Sequence, residues 1–274
     1  MSSFIPSAQP LLACVLLLGL LAGTSASAEV SPPEALELML RNREVGQVQD
    51  SQAKTAFRLI SSNGKVRIQE AETITRRDSK TGETSRLARF LTPSDVKGMA
   101  VLTVEQPERD DDIWLYLPAL GKVRRLQGNN KREAYMGTDL SYGDVIGHEP
   151  EEWTHVLVGQ EKIDGVICWI VESKPNSDSV AIASGYSKRV NWLRSDNAVM
   201  VRAELYDSAG GLLKRVTQKN IVEVAAAPER WQAMIIEVEN IRTHHRTEIE
   251  ISDYRANSGL APELFSPRAL ERVR

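Results

Sequence analysis

The chain has 274 residues, of which 42% are hydrophobic and 26% charged, enough apolar material to bury a full core. A formal net charge of −3 and a pI near 5.9 argue against a general nucleic-acid binder, which is normally basic. Ordinary glycine, proline and charge content exclude long disordered tracts.

Leu11–Ala22 is an apolar run, and the small residues after it end in Ala26-Ser27-Ala28, an A-x-A pattern. Residues 1–28 therefore read as a secretory signal cleaved after Ala28, leaving 29–274 as a single domain with a periplasmic destination. Met1–Pro10 holds no lysine or arginine, so a retained anchor is the rival reading, although the run is short for a span of about 20 residues. Cys14 lies inside the run instead of closing it, which argues against lipidation there. Export leaves Cys168 as the lone cysteine, within the apolar Gly165–Val171, where a buried inert thiol is expected.

Ser31-Pro32-Pro33-Glu34 has the composition of a helix start, with serine as N-cap and proline in the first turn. Ala35, Leu36, Met39 and Leu40 recur on one face, predicting an amphipathic helix from Pro33 to about Gly46. The period then changes to two. Lys54–Ile60 and Lys65–Thr75 flank Ser61-Ser62-Asn63-Gly64, a hairpin signal. Ser85–Leu91, Gly98–Glu105, Asp112–Leu117 and Lys122–Leu126 follow as strands. Val156–Ile163 and Val166–Glu172 flank Asp164-Gly165; Lys188–Leu193 and Ala198–Tyr206 flank Ser195-Asp196-Asn197. Within Ala198–Tyr206, alternation puts Val199, Val201, Ala203 and Leu205 on one face and Met200, Arg202, Glu204 and Tyr206 on the other. Leu212–Val224, Trp231–Glu239 and Thr243–Ser252 complete about a dozen strands. Met234, Ile236 and Val238 share one face of the second of these, and Ile249 and Ile251 point inward from the third. Ser258–Arg274 offers two short helical turns around Pro267, suited to a lid.

This is an antiparallel meander without alternating helices. The predicted fold class is mainly β: a curved antiparallel sheet, a half-open barrel, with a few helices covering its concave face. Such a sheet encloses an apolar hollow, and Met99, Leu115, Leu117, Met136, Met200 and Met234 are candidate lining residues. A methionine or leucine at an inward position is more often plain core.

No catalytic constellation stands out, and no cofactor is implied. His148 with Glu149, Glu151 and Glu152 has zinc-ligand types without zinc-site spacing, and a solvated acidic loop explains it equally well. His244 and His245, adjacent in a strand, point opposite ways. Asp139, Ser141 and His148 lack a nucleophile elbow, and Asp139, Ser141 and Asp144 read better as caps of a short helix or turn. The expectation is a protein that is not an enzyme and binds no metal. Lys122, Arg124, Arg125, Lys131 and Arg132 cluster around Gly128-Asn129-Asn130, either as a solvated hairpin or as a contact for anionic headgroups or an acidic partner. Arg124 and Arg125 point to opposite strand faces, so one is expected on the core or ligand face, partnered by Asp139, Asp144, Glu149 or Glu151.

The string WLYLPALGKVRRL followed by YMGTDLSYGD, with Phe90–Leu102 upstream and Leu260–Leu270 near the end, resembles the outer-membrane lipoprotein-sorting-protein-like family. That family is related to the periplasmic LolA/LolB-like lipoprotein carriers. Trp114, Tyr116, Pro118, Arg124, Arg125, Met136, Gly137, Asp139, Ser141 and Tyr142 match its pattern, while Tyr135 and Thr138 stand for its usual phenylalanine and serine. The resemblance implies a non-enzymatic periplasmic carrier that holds a lipid or acylated lipoprotein between membranes. Its implied partners are an inner-membrane exporter of the resistance-nodulation-division (RND) type or an outer-membrane acceptor. Trp114, Tyr116, Arg124, Arg125, Asp139 and Tyr142 join the lining residues as candidate ligand contacts, with bracing of the sheet as the other role. The alternative is an envelope adaptor without cargo, which calls for a packed core and an exposed patch where a carrier calls for an apolar cavity.

Overall fold

The structure, a computed structural model, describes Met1 and residues 34–106, 109–126, 131–226 and 228–271. The expected signal segment after Met1 and the expected helix start at Ser31–Pro33 lie outside these residues.

Thirteen strands are seen among the described residues: β1 (Asp50–Ile60), β2 (Val66–Arg77), β3 (Thr84–Thr92), β4 (Ala100–Val104), β5 (Asp112–Leu117), β6 (Lys122–Leu126), β7 (Trp153–Ile163), β8 (Val166–Pro175), β9 (Lys188–Arg194), β10 (Met200–Tyr206), β11 (Leu212–Ala226), β12 (Glu229–Asn240) and β13 (Arg246–Ala256). They form one antiparallel sheet in the order β6-β5-β4-β3-β2-β1-β13-β12-β11-β10-β9-β8-β7. The pairing of β1 with β13 joins two meandering arms, and β6 and β7 are left as the two edges of an unclosed sheet. The turns explain the meander. Asp164 and Gly165 both take positive φ (48° and 84°), the two-residue geometry that matches strand twist.

Because β6 and β7 lie at opposite edges, the chain between them must cross the whole sheet. It does so over one face, called here the inner face. This crossing segment contains a 3₁₀ turn at Tyr135–Gly137, helix α2 (Tyr142–Ile146) and a 3₁₀ turn at Pro150–Glu152. Tyr135, Tyr142 and Ile146 pack into one cluster with Phe57, Phe90, Val101, Ile113 and Ile249. Helix α1 (Ala35–Val45) covers the β8–β9 end of the same face, and α3 (Asp178–Ser184), absent from the sequence expectations, brings Val180 and Tyr186 onto β10–β12.

Two expected helical details differ. Leu38, not Leu36, is the buried anchor of α1, packed on Val171 and Leu193, while Leu36 is exposed. The N-cap position is Glu34, whose side chain makes no capping bond. The C-terminal turns, Pro262–Phe265 and α4 (Pro267–Leu270), do not form a lid. Phe265 and Leu270 pack on the outer face against Leu102, Ala100 and Tyr116, and Arg89 Nη2 donates to the carbonyls of Ala269 and Leu270 at 3.1 and 3.2 Å.

Candidate ligand-binding face

Strand register decides which candidates share a surface. Met99, Leu115 and Leu117 extend the inner-face rows of Val101 and Ile113 on β4 and β5, and Met234 that of Ile236 and Val238 on β12. Met200 joins them through a bulge between Met200 and Arg202, which turns it to the side of Ala203 and Leu205. The simple alternation had put it on the other side. Met136 reaches the same face from the crossing segment. The structure thus gathers all six lining candidates on one face.

Trp114 and Tyr116 lie on the outer face, where they pack with Phe265 and Leu270. Arg124 and Arg125 do point to opposite faces, Arg124 beside Leu115 on the inner one and Arg125 beside Trp114 on the outer one, and both are exposed because β6 is a short edge strand. Arg125 pairs with Asp112 and lies 5.6 Å from the Trp114 ring, so none of the four expected acids is its partner. Asp112 also accepts from Arg109 at 2.6 Å, and these bonds, with Arg109 the largest contributor, hold its carboxyl below the usual range. In the basic cluster Lys131 pairs with Asp111 at 2.7 Å, Lys122 and Arg132 are exposed, and 128–130 lie outside the described residues.

The family motif in the crossing segment builds a tight loop. The backbone of Tyr135 donates to the Leu140 carbonyl at 2.7 Å, and Met136 and Gly137 both take left-handed φ (49° and 79°). A left-handed methionine is uncommon, and the glycine beside it removes a second steric cost. Tyr135 meets Tyr142 edge-on at 5.4 Å and Phe57 at 6.4 Å. Burial raises the phenol pKa of both tyrosines.

Two polar anchors hold this loop to the sheet. Asp139 Oδ2 lies 2.6 Å from His245 Nδ1 and accepts from Thr247 Oγ1 at 2.7 Å, while the Asp139 N–H donates back to that hydroxyl at 3.0 Å. His245 and His244 therefore lie in the β12–β13 turn and not in a strand, with His244 at φ 55°. At the second anchor, Ser141 and Asp144 form the reciprocal capping box of α2. The Asp144 carboxylate also accepts from Lys214 Nζ at 2.9 Å and from Tyr186 Oη at 2.9 Å. Burial alone would raise the Asp144 pKa, but Lys214 and the Ser141 N–H hold it below the usual range. Burial and the neighbouring carboxylate push the Tyr186 phenol up.

No group of His, Cys, Asp and Glu side chains suited to a metal occurs among the described residues. His148 turns inward against Trp153 and Tyr186, and Glu149 pairs instead with Arg43. Cys168 is fully buried, and burial raises its pKa. The expected apolar hollow is filled. The two best-formed clefts among the described residues measure about 200 Å³, beside Gln47, Thr75, Arg77 and Tyr254, and about 170 Å³, beside Arg41, Glu44, Asp196 and Arg230. Both are polar and below the roughly 300–1,000 Å³ of a typical small-molecule site.

The unclosed, curved antiparallel sheet with its inner face covered by short helices is shared with the LolA superfamily fold. A LolA superfamily protein from Nitrosomonas europaea, 18% identical, shares the fold with a TM-score of 0.65 over 86% of this chain and 98% of its own. A domain from Vibrio parahaemolyticus assigned to outer membrane lipoprotein sorting superposes with a TM-score of 0.79 at 28% identity, over 87% of this chain and 98% of its own. A DUF1329 family protein from Desulfovibrio piger is 30% identical, with a TM-score of 0.79 over 86% of this chain and 97% of its own. A family model described as an uncharacterized protein-like family matches residues 82–272. None of the curated proteins matches the chain. The chain belongs to the DUF1329 family.

Proposed function

We propose that the protein is an exported, non-enzymatic carrier of a lipid or acylated lipoprotein, with the inner face as its cargo surface and the crossing segment as the occupant that cargo replaces. The observation that carries this reading is the apolar inner face itself. Phe57, Phe90, Val101, Ile113, Ile236 and Ile249 are contributed by separate strands and converge beneath one connection. Burying an acyl chain on such a surface yields about 0.8 kcal/mol per methylene, so a chain of ordinary length offsets the local cost of lifting a loop. Export through residues 1–28, residence in the periplasm and transfer to an RND-type exporter or an outer-membrane acceptor belong to the same reading. They rest on the A-x-A pattern and on the sorting role that the name of the Vibrio relative assigns.

One observation favours a second reading. A filled inner face with only small polar clefts is what an adaptor without cargo would have, and Val156 and Val158 on edge strand β7 are each 54% exposed. Hydrogen–deuterium exchange of the mature chain, with and without a dansyl-labelled fatty acid, separates the two. A carrier binds the probe, loses protection across 131–147 and gains it on β1, β3 and β13. An adaptor shows neither binding nor change.

A further inference from the structure

At the β7–β11 end of the inner face, the cross-strand rows collect hydrogen-bond donors, several of them without acceptors. His155, Ser173, Arg189, Leu205 and Lys214 occupy one row from β7 to β11, and Trp153 opens β7 beside it. The charge of Lys214 is matched by Asp144, and His155 is engaged with Ser173 Oγ at 2.8 Å and the Pro150 carbonyl at 2.9 Å. Arg189 differs. Among the described residues it has no hydrogen-bond acceptor and no ion pair, and its guanidinium carbon lies 5.7 Å from the Trp153 ring. Its Nε is buried without a partner, as are Trp153 Nε1, on a residue 5% exposed, and His148 Nε2. The His148 and Trp153 rings meet edge-on at 5.5 Å. Asn191, the next inner position on β9 and 2% exposed, leaves Nδ2 unpaired as well.

The nearest carboxylate cannot fill this gap, because Asp144 is already engaged by Lys214, Tyr186 and the Ser141 N–H. Arg189 and Lys214 against Asp144 leave the group one positive charge in excess. Arg189 is half-buried, with its Nε sealed from solvent. A buried N–H without an acceptor is costly, and the orphaned indole, imidazole and amide N–H groups near it add to that cost. Burial pushes the His148 pKa down to about 3, with Arg189 reinforcing the effect, so at neutral pH the ring is uncharged and one of its tautomers presents an N–H at Nε2. An oxyanion is the kind of acceptor that Arg189 Nε, Trp153 Nε1 and His148 Nε2 lack.

We propose that Arg189, Trp153 and His148 form a binding site for a carboxylate or phosphate-ester anion. The guanidinium supplies a planar fork for two oxygens, and the indole and imidazole N–H groups meet the same anion from the side. A free anion and the headgroup of an anionic amphiphile share this chemistry. The amphiphile case rests on the carrier reading above, and its tail would lie toward Ala203, Val216 and Val238 of the neighbouring cluster.

Calorimetric titration of the mature chain with inorganic phosphate, with decyl phosphate and with decyl maltoside tests the site. The expected result is binding of one or both phosphates, weakened at least tenfold by Arg189→Met and at least threefold by Trp153→Phe, which keeps an aromatic ring but removes the N–H. Arg189→Lys, which keeps the charge and loses the fork, should fall between wild type and Arg189→Met, and it carries the test if the methionine variant does not fold. Decyl phosphate binding ten times tighter than phosphate identifies the headgroup of a carried amphiphile. Equal affinities identify a free-anion site, which holds even if the carrier reading fails. No binding of either phosphate, or binding that Arg189→Met, Arg189→Lys and Trp153→Phe leave unchanged, overturns the proposal.

Discussion

The Asp144–Lys214 pair gives the sharpest test of how the crossing segment is held. Both side chains are nearly buried, at 6% and 10% exposure, and the carboxylate is shared with Tyr186 and the α2 cap. Asp144→Asn keeps an oxygen for the cap but removes the negative charge, leaving the Lys214 ammonium without a counterion. Breaking one partner of a buried pair costs about 3–5 kcal/mol, whereas removing both charges is often nearly neutral. Asp144→Asn and Lys214→Met are therefore each expected to destabilise the protein by about 3–5 kcal/mol, a large share of a typical total stability. The double variant should recover at least about 2 kcal/mol of the summed loss. Urea denaturation followed by tryptophan fluorescence and far-UV circular dichroism measures all three. Strictly additive losses, or a cost below about 1 kcal/mol for Asp144→Asn, would show that the pair does not anchor the segment.

Three further outcomes are expected. His148 has a folded pKa near 3 against an ordinary 6.5, so the unfolded chain binds more protons between these values. The contribution is complete above pH 6.5 and declines as pH falls toward 3, amounting to about 1.4 kcal/mol lost by pH 5.5. His148→Phe should flatten that part of the stability–pH profile, and an unchanged slope would contradict the assignment. Leu270→Ala, at a position with no exposure on the outer face, should cost about 2–5 kcal/mol in the same denaturation assay and leave probe binding on the inner face unaltered. Gly137→Ala, at φ 79°, should cost about 1–2 kcal/mol in thermal unfolding, and a neutral result would show that the loop relaxes out of its left-handed turn.

Period-two patterning carried most of the fold. The limits of β5 and β6 match the expectation residue for residue, the Asp164-Gly165 hairpin formed as read, and Ser141 and Asp144 cap α2 as expected. Alternation also told which residues share a face, which is why Met99, Leu115, Leu117 and Met234 lie together. It could not say which face the rest of the chain would cover. Trp114 and Tyr116 consequently fell on the outer side, under a C-terminal segment expected to be a lid. The opposite-face reading of Arg124 and Arg125 held, with Arg124 on the inner face. The exposure of both and the Asp112 partner of Arg125 were not legible, because edge status depends on strand order, which no local window contains. The anchors of the crossing segment join Asp144 to Lys214 across 70 positions and Asp139 to His245 across 106, so neither pairing leaves a local signal. Likewise, a one-residue bulge reversed Met200, and nothing in the composition of Met200–Tyr206 marks it. Helix α3 was hidden in a Ser/Ala-rich stretch, although Ser177 accepting from the Val180 N–H is a cap that its sequence position could have signalled.

Native mass spectrometry of the mature protein, purified from its own envelope without detergent and followed by lipid extraction, tests the carrier account most directly. The account predicts a reproducible bound lipid or acylated peptide, displaced when the crossing segment is further stabilised against the sheet. A clean unliganded mass, together with no uptake of a fluorescent fatty acid, would contradict carriage and leave the adaptor reading in its place.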